Sequence, residues 1–289
     1  MRLFVSAKEV HVGFASEKRG LSVRVICLTL LLSIGGLAAK AQGTNYGTVS
    51  FLPGWTESSG TIIAAVRIEL EPGWKTYWRV PGAAGIPPNF NWVGSKNLGA
   101  AEVLFPAPEV EIVAGLQSIG YHGDAVFPVR ITPDHAGRPV DIALDFTFGV
   151  CREICIPAQA FFAVQLLPAS PAANVRLIQS ALDRAPVAAG SGGVISASCS
   201  IVPSDEDYVI RAEIALKSRS VGAPATIFEP GSSDLWADAA TTWTEGNVLI
   251  AEAPLQFYGE GGWVLDRSAI RLTLIGEDYA VDIQGCPAG

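Results

Sequence analysis

The chain has 289 residues, of which 49% are apolar and 17% charged, with 30 Gly, 19 Pro, 5 Cys, a single Met and a formal charge of -8. That length suits about two domains, and the low charge fraction excludes an intrinsically disordered chain. An odd cysteine count leaves at least one sulfur outside any internal pair.

At the N-terminus, Arg19 and Arg24 precede an uncharged run, Val25 to Ala39, followed by Ala39-Lys40-Ala41. A basic stretch, a short apolar stretch and a small-x-small site form the pattern of a secretory signal, with cleavage expected after Ala41. About 15 uncharged residues fall short of the roughly 20 needed to span a bilayer as a helix. Cys27 lies inside the apolar run, so removing the signal (residues 1–41) leaves four cysteines. It also takes 6 of 20 basic and 2 of 28 acidic residues, leaving 14 and 26 and a net charge of -12. Such a surface repels phosphate backbones, so no nucleic-acid partner is expected. A signal and an even cysteine count point to an oxidising compartment where disulfides persist. Met1 is the only methionine and leaves with the signal, which excludes a Met-rich copper site.

Beyond residue 42 the dominant period is two. Ile62, Ala64, Val66, Ile68 and Leu70 alternate partly with Arg67 and Glu69, and Ile142, Leu144, Phe146 and Phe148 alternate with Asp141, Asp145 and Thr147. This is the pattern of half-buried antiparallel strands, and the Gly/Pro clusters between the runs predict a β-sandwich. Ser170 as N-cap and Pro171 at the first helical position, with Val175, Ile178, Ala181 and Leu182 at helical spacing, predict a short helix over about 171–184. Ala188 to Gly193 has the composition of a flexible linker. Alternation resumes with Ile210, Ala212, Ile214 and Leu216, and again with Val281 and Ile283. The expectation is an all-β chain of two sandwiches, 42–168 and 194–289, joined by a helix and linker over 169–193.

The four remaining cysteines divide by spacing. In the chain-entropy model, a ring of about 5 residues (Cys151 to Cys155) gains only about 2 kcal/mol from cross-linking, whereas one of about 88 (Cys199 to Cys286) gains about 4.6 kcal/mol. The long pair makes sense as a structural staple. For the short pair, four steps along an extended strand span about 13 Å, but a disulfide needs its Cα atoms within about 7 Å, so Arg152-Glu153-Ile154 has to turn. Gly149 and Pro157 bracket that turn as expected breakers. A pair closing a tight turn is either redox-active or a local clip at a hairpin end, and spacing leaves both readings open. Zinc would need Cys151, Cys155, His122 and a fourth ligand, for which the only other histidine past the signal is His135, so no metal is expected. G-x-S-x-G and C-x-x-C are both absent, which argues against a serine hydrolase and a thioredoxin site.

Four blocks in order, PGWKTYWRVPGAAGIPPNFNW (from Pro72), FPAPEV (from Phe105), SIGYHGDAVFPVRI (from Ser118) and FTFGVCREICIPAQAFFAVQL (from Phe146), resemble the N-terminal periplasmic domain of the DsbD and ScsB thiol:disulfide interchange proteins. The resemblance covers about residues 45–168. It implies an immunoglobulin-like sandwich whose redox pair, Cys151 and Cys155, takes electrons from a membrane electron carrier and passes them to thioredoxin-like periplasmic proteins, with no cofactor. The C-x-x-x-C spacing looks more like the ScsB branch. Gly120-Tyr121-His122-Gly123 occupies the position of the family's aromatic cap loop, with Tyr121 as the lid and the glycines as its hinges; the alternative is a turn whose tyrosine only packs. Trp74, Tyr77 and Trp78 match an aromatic block near the site, and alternation puts Trp74 and Trp78 on one face and Tyr77 on the other. The family's membrane and thioredoxin-like domains have no counterpart in the sequence, so the electron donor is expected to be a separate protein. A non-catalytic binding or adaptor module with a structural disulfide is the alternative.

Overall fold

A computed structural model describes residues 42–289 apart from 84, 114, 169, 205–207, 219–224 and 277–278. The expected signal segment, including Cys27, lies outside the described residues. Eleven strands come first: β1 (Gln42–Thr44), β2 (Gly47–Thr56), β3 (Ile62–Leu70), β4 (Lys75–Gly82), β5 (Asn89–Asn91), β6 (Leu98–Val103), β7 (Glu109–Val113), β8 (Leu116–His122), β9 (Asp124–Pro133), β10 (Val140–Cys151) and β11 (Cys155–Leu166). They form two sheets, one ordered β1-β2-β3-β9-β6 and the other β11-β10-β4-β8-β7, with β5 also on β10. Ile62, Ala64, Val66, Ile68 and Leu70 of β3 and Ile142, Leu144, Phe146 and Phe148 of β10 meet in one buried core, as their period of two requires.

The alternation in β3 is imperfect for a reason outside the strand. Ile63 and Ala65 on its other face are also buried, under Ile178 and Ala181 of helix α1 (Val175–Asp183). That helix starts four residues later than Pro171, the expected first helical position. Ala173 donates its N–H to the Gly54 carbonyl, and the Asn174 side chain donates to the Pro53 carbonyl. The segment before the helix is thus tied to a bulge in β2, and Asn174, at φ 51, serves as N-cap in place of Ser170. Asn tolerates this left-handed conformation better than most residues.

The second half adds β12 (Val187–Ala188), β13 (Val194–Pro203), β14 (Tyr208–Leu216), β15 (Ala225–Glu229), β16 (Leu235–Ala237), β17 (Thr241–Glu245), β18 (Val248–Phe257), β19 (Arg271–Ile275) and β20 (Ala280–Gln284). Their sheets run β12-β20-β19-β15 and β13-β14-β18-β16, with β17 also on β18, around a second core. The stretch read as a free linker is partly pinned, because Val187 and Ala188 pair in parallel with Val281 and Asp282. Small residues are needed there for packing: a side chain on Gly192 would meet Val281 at 2.4 Å.

The two halves meet through Arg79 of β4. Its guanidinium makes two hydrogen bonds of 3.1 Å and one of 2.9 Å to Glu229 and one of 2.8 Å to Thr273, and it stacks 3.8 Å from the Trp78 ring centroid. Arg271 and Asp282 complete the ionic group. Ile227 and Ile275 of the second half join the core of the first. Among the described residues, no helix is long and apolar enough to cross a membrane.

Candidate functional site

β10 and β11 pair without a register break from Val140 opposite Leu166 to Cys151 opposite Cys155. The disulfide Cys151–Cys155 closes the end of that ladder, with its Cα atoms 4.1 Å apart. The turn is confined to Arg152-Glu153-Ile154. Gly149 and Pro157, expected as breakers, instead face each other inside the strands. Pro157 is tolerated because β11 is a sheet edge, where a missing N–H breaks no ladder bond. Gly149 is needed for space, since a Cβ there would lie 2.6 Å from Ile86 Cβ and 3.0 Å from the Tyr77 ring.

The two sulfurs differ in access. Cys151 is 7% exposed, whereas Cys155 is half-buried beside Ile154, which is 74% exposed. Register explains the surroundings. Val150 pairs with Thr76 and Thr76 with Tyr121, while Cys151 pairs with Lys75 and Lys75 with His122. Paired residues share a sheet face, so Lys75 and His122 lie on the face of Cys151 and Tyr121 lies on the core face with Val150.

This corrects the expected lid. Tyr121 belongs to β8, is buried, donates its hydroxyl to the Pro106 carbonyl at 2.8 Å and packs edge-on against Phe127. Burial pushes its phenol well above the ordinary value. Gly120 is not a hinge either: a Cβ on it would lie 2.1 Å from the Thr76 carbonyl oxygen, so glycine is there to let β4 and β8 approach. Gly123, at φ 70, makes the β8–β9 turn.

The aromatic that reaches the disulfide is Tyr77. It is 2% exposed, and its hydroxyl lies 2.9 Å from Cys155 Sγ. A disulfide sulfur carries no proton, so the phenol is the donor. Its pKa is raised by burial first and by the Glu111 carboxylate second. Trp78 is fully buried in the core. Trp74 packs against the same core and against Tyr46, and its ring lies 5.6 Å from the Arg152 guanidinium in the turn.

Farther along the same face, His122 Nε2 lies 2.5 Å from Glu111 Oε1, and Lys75 Nζ lies 3.8 Å from Glu111 and donates to Ser118 at 2.8 Å. The His122 hydrogen bond, aided by Lys75, holds the Glu111 carboxyl below its usual value despite partial burial. Glu109, Glu111 and His122 bring three donor atoms within 4.8 Å of one another, a grouping that could hold a cation. Lys75 already supplies positive charge there. Sequence reading named His122 but missed Lys75, Glu109 and Glu111; the E-V-E alternation from Glu109 was the available signal. In the second half Cys199 and Cys286 form a disulfide, both fully buried, with Arg267 donating to the Cys199 carbonyl at 2.7 Å.

The fold of the first half is thus an immunoglobulin-like β-sandwich that carries a disulfide at the end of its β10–β11 hairpin. Residues 48–167 match the family described as thiol:disulfide interchange protein DsbD, N-terminal. The fold is similar to the crystal structure of the N-terminal periplasmic domain of ScsB from Proteus mirabilis, with a TM-score of 0.67 and 20% identity over 85% of this chain and 95% of that one. A match of that extent includes both halves and concerns the fold alone. No curated protein matches the chain.

Proposed function

We propose that this protein is a periplasmic thiol:disulfide oxidoreductase that relays electrons through Cys151 and Cys155 between a separate membrane electron carrier and thioredoxin-like proteins, with residues 42–168 and 194–289 as its two domains. The observation that carries the reading is the asymmetry of the pair: Cys155 is partly exposed at the hairpin end and Cys151 is buried behind it. In the reduced protein, the Cys155 thiolate attacks a partner disulfide, forms the Cys155–partner bond and releases one partner thiolate. Cys151, giving up its proton, then attacks Cys155 Sγ, re-forming the intramolecular disulfide and releasing the second partner thiolate. Two electrons reach the partner, and its thiolates take up two protons. Re-reduction runs the same displacements backwards from the carrier's dithiol.

Two measurements test this. A redox titration is expected to place the Cys151–Cys155 couple well above about -300 mV, the limit below which structural disulfides lie. Cys151→Ser is expected to accumulate a mixed disulfide with a thioredoxin-like protein through Cys155, and Cys155→Ser is not. A couple below that limit, with no trapped adduct from either variant, would leave a binding module with a structural clip.

A further inference from the structure

We propose that Tyr77 is a positioning residue for Cys155, its phenol donating a hydrogen bond that stabilises the Cys155 thiolate as nucleophile and as leaving group. The inference rests on the redox reading above and adds a residue to it. It begins with the 2.9 Å contact, in which the phenol is the only group with a hydrogen to give while the disulfide is closed. When Cys155 is reduced and ionised, the same donor faces a full negative charge, and a hydrogen bond to a charged acceptor is roughly twice as strong as a neutral one.

The ring is built into place. One edge, Cδ1 and Cε1, lies where a Cβ on Gly85 would be 2.7 and 2.9 Å away, and the other edge, Cδ2, lies 3.0 Å from where a Cβ on Gly149 would stand. Two glycines thus form a slot that any larger residue would fill. Ile86 crosses above Gly149, and Thr76 beside Tyr77 donates to the Gly149 carbonyl at 2.8 Å, fastening β4 to β10 at this point. A phenol gripped on both edges loses little entropy in making its hydrogen bond, so the contact is preorganised. Burial and Glu111 push the Tyr77 ionisation upward, so the group stays a donor through neutral and mildly alkaline pH. The ionisable groups around the site are Lys75 on β4, Glu109 and Glu111 on β7, His122 on β8, and Arg152 and Glu153 in the turn. None is altered by removing one hydroxyl, so their influence cancels in the comparison.

The test uses the full chain carrying Cys151→Ser, in which Cys155 is the one free thiol of the pair, with and without Tyr77→Phe. The rate of alkylation by iodoacetamide is followed against pH. Loss of the donor is expected to move the midpoint for Cys155 upward by about one unit, a roughly tenfold smaller thiolate fraction at neutral pH. Gly85→Ala, which keeps the hydroxyl but crowds the ring out of its slot, is expected to move it the same way. Circular dichroism checks that each variant is folded. Superimposable profiles for the parent and Tyr77→Phe would overturn the proposal. Exchange of the otherwise unaltered chain with a thioredoxin-like protein is measured separately: normal exchange with superimposable profiles removes Tyr77 and leaves the relay, whereas a shifted profile supports the Tyr77 contact even where exchange fails.

Discussion

Glu111 is held in its charged form by two neighbours, His122 and Lys75, and that has a consequence at acid pH. A carboxylate whose folded pKa is depressed contributes stability above its unfolded value, here about 4.5, and loses it as pH falls through the folded value. Glu111→Gln is therefore expected to lower the unfolding free energy measured by urea titration at neutral pH by about 0.2–1 kcal/mol, as for a half-exposed pair. The difference from the unaltered protein should close below about pH 4.5, and a gap that persists there would assign the effect to something other than charge. At this scale the sequence was legible in part. Alternation along Trp74 to Trp78 separates the core tryptophans from Tyr77 without any structure. It does not say that the Tyr77 hydroxyl meets Cys155, because that contact crosses strands 78 residues apart. Tyr121 misled for the complementary reason: its glycine neighbours suggest mobility, whereas Gly120 is there for close strand approach and the tyrosine is core.

The elements that carry the site are held by backbone fit. β4 and β8 are close enough that Gly120→Ala would set a Cβ 2.1 Å from the Thr76 carbonyl oxygen. Forcing these strands apart is expected to cost about 1–3 kcal/mol, visible as a lowered thermal midpoint. The hairpin itself was legible, since the period of two in 142–148 and the short cysteine spacing together require strand, turn and strand. Its turn was legible too, at Arg152-Glu153-Ile154; Gly149 and Pro157 were misread as the breakers that bound it because both residues have other uses, room for Tyr77 in one case and edge tolerance in the other. Helix α1 was legible from its spacing, but its start was not. The four residues after Ser170 are spent on the β2 bulge, a tertiary contact that overrides a good local capping signal.

For the whole molecule, the least legible feature is the contact between halves, because Arg79 and Glu229 are 150 residues apart and Glu229 lies in no motif that would point to it. Their side chains are 13% and 22% exposed, so removing one leaves the other charge mostly desolvated. Arg79→Leu is expected to cost about 1–3 kcal/mol and to speed proteolytic cleavage around residues 186–193, while Ile210 and its neighbours stay protected. The two disulfides should also separate by chemistry. Graded dithiothreitol is expected to open Cys151–Cys155 well before Cys199–Cys286, because an attacking thiolate reaches the half-buried Cys155 but neither sulfur of the second pair. Free thiols at Cys199 and Cys286 under those conditions would overturn their role as a staple.

The unbroken ladder of β10 and β11 governs time as well as position. In the proposed relay, once a partner is bonded to Cys155, the eleven further residue pairs of the β10–β11 ladder hold Cys151 within reach of the same sulfur. The second displacement is then intramolecular, with an effective concentration far above that of any thiol in solution. Adducts with partners should accordingly be short-lived in the unaltered protein. Its residence on a partner is set by the hairpin's rigidity rather than by the affinity of the surfaces in contact.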